Sequence, residues 1–125
     1  MIIADKDGTI YLYQGDSGEL VFKGLDCSKP YKVCLAIHNK DGILVGEELT
    51  VNTNNSDVAV FVLTADFTDL LRVPKKRPFE VYYYGIKTCV MDTGEEDTLF
   101  IANNTYGDMN RIVVYPRKVS GNIYG

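Results

Sequence analysis

His38 is the single histidine of this 125-residue chain. Any imidazole-based acid–base pair or metal site would have to recruit carboxylates or thiols as its other members. The residue falls on the more polar face of a strand-like run, beside a turn, and reads as a surface side chain. Gly15-Asp16-Ser17-Gly18 has the letters of a serine-protease nucleophile loop. A triad, however, needs a His and an Asp arranged around the serine. With one histidine and a short chain, that chemistry is not expected. Asp5-x-Asp7-Gly8 and Asp92-Thr93-Gly94-Glu95-Glu96-Asp97 gather carboxylates, but neither has the regular ligand offsets and terminal bidentate Glu of a calcium loop. Both read as solvated turns. Cys27, Cys34 and Cys89 are odd in number and widely spaced, with no C-x-x-C pair, so neither a zinc site nor a disulfide framework is supported. They read as reduced thiols. No nucleotide-binding or nucleophile-elbow motif is present. The residues predict no catalytic site, no metal and no cofactor.

Recognition chemistry is better represented. There are nine tyrosines, and tyrosine joins a flat apolar face to a polar tip, which suits protein interfaces and carbohydrate stacking. Three of them are consecutive, Tyr82-Tyr83-Tyr84, and strand alternation must send at least one ring to the face opposite the others. One face of that strand is therefore a candidate protein interface, with ordinary strand packing as the competing reading.

Size, composition and charge limit what can position these residues. The length is that of one domain, and 46% apolar with 24% charged residues is globular usage. A net charge of −4 argues against a nucleic-acid backbone as the main partner. The one basic cluster, Lys75-Lys76-Arg77, lies between Pro74 and Pro78 and reads as a loop. The opening residues lack the basic-then-apolar pattern of a signal peptide, and no apolar run approaches a membrane span. Synthesis and folding in a reducing cytoplasm are expected.

The periodicity is that of an all-β domain. Ile2-Ile3 starts a short edge strand, and Ile10 to Tyr13 and Glu19 to Lys23 flank the turn-rich Gln14 to Gly18. In that turn, Asp16 and Ser17 are expected to bond the backbone through their side chains. Tyr31 to His38 alternates most cleanly, with Tyr31, Val33, Leu35 and Ile37 on one face. Asp41-Gly42 marks a hairpin turn, from which Ile43 to Val51 should return antiparallel, with Gly46 as a bulge. Val58 to Leu63 is a further strand. Thr64 to Leu71 breaks the pattern as a short helix capped by Thr64 or Asp66, with Phe67, Leu70 and Leu71 apolar on one side and Pro74 as its stop. Phe79 to Met91 carries bulk on both faces, so it is either central or covered by a partner. Thr98 to Ala102 and Arg111 to Tyr115 close the domain. Residues 1–115 are assigned to a sandwich and 116–125 to a C-terminal tail.

The order of these segments resembles the N-terminal domain of the baseplate upper protein of tailed phages of Gram-positive bacteria, and related small phage structural proteins. Such domains open on a short strand, then Arg-Gly-Asp with a Ser or Thr, then an alternating strand. Ile10 to Ser17 followed by Leu20 and Phe22 matches that opening. Tyr31 to Gly42 matches the strand with a charged hairpin, and Val60 to Leu70 matches the strand running into an A-D-x-T segment. Tyr82, Tyr84 and Ile86 match a Y-x-Y-x-I strand, Thr98-Leu99 the T-L after an acidic turn, and Val113-Val114 the closing strand. Gln14 stands where the family has Arg, Pro74 to Pro78 replaces a glycine, and the loop Asn103 to Asn110 is longer than usual.

The resemblance implies an immunoglobulin-like antiparallel β-sandwich with one short helix between strands. It also implies a non-enzymatic virion component of a tail or baseplate. Such a protein is made in the host cytoplasm and assembles with itself and with other virion proteins, without nucleic acid or membrane. The expected protein interface is Tyr82, Tyr84, Tyr115, Ile123 and Tyr124. A carbohydrate-binding or adhesin-type sandwich is the alternative.

Overall fold

The computed structural model describes residues 2–100, 102 and 110–117. In chain order they form β1 (Ile2–Ala4), β2 (Ile10–Tyr13), β3 (Gly18–Lys23), β4 (Tyr31–His38), β5 (Leu49–Thr53), β6 (Val58–Leu63), α1 (Ala65–Asp69), β7 (Glu80–Val90), β8 (Glu96–Phe100) and β9 (Arg111–Tyr115). The larger sheet runs β1-β2-β9-β7-β4-β5, with β8 also paired to β7. The smaller sheet is β3 with β6. The larger sheet curls until its two ends come against the smaller one, β5 beside β6 and β1 beside β3. The result is an immunoglobulin-like β-sandwich with one short helix, the fold that the resemblance implies.

Alternation builds the core. Val33, Leu35 and Ile37 of β4 point inward, with Leu12 of β2 and Ile112 and Val114 of β9 from the same sheet. Leu20, Phe61 and Leu63 answer them from the smaller sheet. A side chain of this kind, fully removed from water, contributes about 1.5–3 kcal/mol, and Leu12, Val33, Ile112 and Val114 are all 0% exposed.

β7 is the central strand. β4 pairs along one edge, from Tyr31↔Val90 to His38↔Tyr83. The other edge is shared, with β9 against Glu80 to Tyr83 and β8 against Ile86 to Cys89. Gly85 lies at the seam, where a Cβ would stand 2.9 Å from the Phe100 carbonyl oxygen and 3.1 Å from the Ala102 amide nitrogen.

Three expectations are corrected. The larger sheet is mixed, because β2 lies parallel to β9 from Ile10↔Ile112 to Tyr13↔Tyr115. β9 enters between β2 and β7, and Gln14 N–H donates to the Tyr115 carbonyl at the end where β2 and β9 finish together. The strand returning after Asp41-Gly42 begins only at Leu49. Asn39 Oδ1 accepts from the amides of Asp41 and Ile43 and tightens the turn. One bridge then forms, His38↔Leu44, before Gly46, at φ 64°, turns the chain across Phe67. Gly46 is thus a break and not a bulge. The helix ends at Asp69, well before Pro74. Thr64 Oγ1 caps it by accepting from Phe67 N–H at 3.1 Å. Thr68 and Leu71 are buried, whereas Leu70 is exposed.

Candidate interaction surface

The turn that delivers β3 is fixed from outside itself. Gly15 sits at φ 87°, a region that only glycine enters freely, and Asp16 N–H closes the turn on the Tyr13 carbonyl. The helix then clamps it: Thr68 Oγ1 donates to the Asp16 carbonyl at 2.6 Å, and Gln14 Nε2 donates to the Asp69 carbonyl at 2.9 Å. Arg117 forms an ion pair with Asp69 on the same helix. Thr68 and Gln14, which the sequence does not single out for this role, tie the turn to the helix.

Beyond the clamp, β3 starts at Gly18, against which the Ile2 side chain packs so closely that a Cβ would meet it at 3.0 Å. β3 pairs with β6 along its whole length, Gly18↔Leu63 to Lys23↔Val58. No ladder joins it to β1 on the other side. Five consecutive β3 residues, Glu19 to Lys23, instead border a cleft of about 620 Å³ whose far wall is the β1–β2 turn from Ala4 to Gly8. Consecutive residues of a strand point to opposite faces, so it is the edge of β3 that lines this cleft. Leu35, Phe61 and Tyr84 form its floor.

The outward face of the smaller sheet is apolar at its centre. Glu19, Val21 and Lys23 stand opposite Val62, Val60 and Val58, and Val21 and Val62 are 52% and 63% exposed. A strand covered on one side normally alternates apolar with polar residues; β6 reads Val-Ala-Val-Phe-Val-Leu. That unbroken apolar run was the sequence signal for this surface, and the sequence reading passed over it.

The residues singled out from the sequence do not form one site. Tyr82 and Tyr84 were expected at an interface; their placement in the core corrects this, at 6% and 7% exposure. Each hydroxyl is satisfied within the chain, Tyr82 donating to the Arg72 carbonyl and Tyr84 to the Gly8 carbonyl at 2.6 Å. Burial, followed by the charge of Glu80, raises the Tyr82 phenol. Burial, followed by Asp5, pushes the Tyr84 phenol up to about 12. Tyr115 is half-buried against Tyr13, with ring centroids 5.3 Å apart. Ile123 and Tyr124 lie outside the described residues.

Asp5 Oδ1 accepts from the amides of Asp7 and Thr9, which makes the first acidic cluster a turn. Gly94 N–H donates to the Val90 carbonyl within the second. Among the described residues no cluster of three or more His, Cys, Asp or Glu side chains forms. The three cysteines are unpaired.

The architecture has a counterpart among solved structures. The crystal structure of the periplasmic chaperone SfaE matches it with a TM-score of 0.56 at 10% identity, over 92% of this chain and 57% of that one. The chain thus spans little more than half the length of that chaperone, and at this identity the likeness defines the fold class, an immunoglobulin-type sandwich. No protein-family model and no curated protein matches the chain.

Proposed function

We propose that the chain is a non-enzymatic structural component of a virion, in the tail or baseplate, that assembles through contacts with copies of itself and with other virion proteins. The observation that carries this reading is the smaller sheet, whose β3 edge is unpaired among the described residues and lies beside exposed Val21 and Val62. Uncovered strand edges and contiguous apolar faces are what protein–protein contacts consume. The segment order shared with baseplate upper proteins supplies the virion context, and an immunoglobulin-like sandwich is the fold that this resemblance implies. Virions are then the destination of a chain made in the host cytoplasm.

Electron micrographs of particles labelled with an antibody against the chain test the reading, with label on the tail or baseplate as the expected result. Light scattering and a glycan array supply the second arm. A strict monomer that binds glycans, absent from particles, would sink the proposal in favour of the adhesin-type alternative.

A further inference from the structure

The outward residues of β3 read Glu19, Val21, Lys23, a sequence that is its own charge complement when reversed. We propose that the free edge of β3 pairs antiparallel with β3 of a second copy of this chain, about a twofold axis through Val21. This deepens, and rests on, the reading that the chain assembles through protein contacts. In that register Glu19 of each copy stands opposite Lys23 of the other, Val21 meets Val21, and Leu20 stands opposite Phe22 on the inner side.

Directly opposed charges of opposite sign stabilise a strand pair, and like charges destabilise it. A parallel in-register pair would set Glu19 on Glu19 and Lys23 on Lys23, so the charges select the antiparallel arrangement. Among the described residues neither side chain has a salt-bridge partner within its own chain, so both are available to a second copy. The twofold pairing joins two smaller sheets into one of four strands, β6-β3-β3-β6. It brings the exposed valines of both copies onto one continuous face, and the cleft beside β3 receives the inner-face Leu20 and Phe22 of the incoming strand. An isologous contact of this kind uses the same patch on both partners and closes at two.

Sedimentation equilibrium of the full chain, over concentrations up to the order of 1 mM, suits the weak association expected of a small interface. The expected result is a concentration-dependent dimer. Glu19→Lys and Lys23→Glu each create two like-charge contacts per dimer and weaken association by about tenfold or more. The double variant restores both pairs and returns the wild-type constant. Circular dichroism of the three variants should match the wild type, because both positions are exposed. A chain that stays monomeric throughout the range overturns the proposal, as does a double variant no better than the single ones. Oligomers indifferent to both single variants also overturn β3 pairing, yet leave the assembly reading standing. Absence of the chain from labelled particles overturns that reading whatever β3 does.

Discussion

Replacing Tyr84 by Phe removes one hydroxyl from the core and leaves the packing in place. The ring keeps its edge-on contact with Phe100, at 6.0 Å between centroids and 74° between planes. What is lost is the bond to the Gly8 carbonyl, a net contribution of about 0.5–1.5 kcal/mol for a typical hydrogen bond. The variant should therefore be less stable than the wild type by about 1 kcal/mol at pH 8.

The gap should not survive at high pH. In the unfolded chain a tyrosine ionises near pH 10, whereas burial and then the Asp5 carboxylate push Tyr84 up to about 12 in the folded chain. A group whose folded value is raised gives stability that is full below its unfolded value and is lost as pH climbs through its folded value. Each unit is worth about 1.4 kcal/mol, so by pH 11 the wild type has lost about 1.4 kcal/mol through this group. The phenylalanine variant has no such group to ionise. Urea unfolding of both proteins from pH 8 to pH 11 should thus show the gap close and then reverse. All other groups are common to both proteins and cancel in the difference. A gap that stays constant over this range would refute the account of Tyr84 as a desolvated phenol.

Other substitutions probe the clamp and the seam. Gly85→Ala places a methyl group against the backbone of Phe100 and Ala102. Overpacking of this kind costs about 1–3 kcal/mol, read as a lower urea midpoint with an unchanged slope. Thr68→Val keeps the shape of a fully buried side chain while removing the bond to the Asp16 carbonyl. A loss of about 1–3 kcal/mol is expected, with faster amide exchange at Asp16. Thr64→Ala removes the cap from Phe67 N–H and should cost about 1 kcal/mol by the same unfolding assay.

The sequence was most legible where one face alone is buried. Tyr31 to His38 alternates because β4 has a core side and an outer side, so the inward places of Val33, Leu35 and Ile37 could be read directly. Tyr82 and Tyr84 could not, because the groups that accept their hydroxyls lie elsewhere. The Gly8 carbonyl is 76 residues from Tyr84, and no local pattern announces that a carbonyl waits there. Aromatic bulk on β7 was therefore open to two readings, and the expected interface followed the wrong one.

The clamp on Asp16 escaped for the same reason, since Thr68 is 52 residues away. The parallel partnership of β2 and β9 escaped because two short strands carry no mark of their mutual direction. The β3–β6 surface was legible in part. The valines of β6 were visible, but which of its faces lay uncovered depends on how far the larger sheet curls.

The place of β9 has a consequence for how the domain comes into being. Among the described residues the strand latest in sequence, β9, occupies an interior position between β2 and β7, and the β1–β2 hairpin joins the larger sheet through it. The registers Ile10↔Ile112 and Tyr13↔Tyr115 are contacts of large sequence separation, the kind that slows folding. On a ribosome, any polypeptide carrying this domain exposes one edge of β2 and half an edge of β7 until Tyr115 has emerged. Those unpaired edges are aggregation-prone during that interval, and the larger sheet cannot be complete until β9 lies between them.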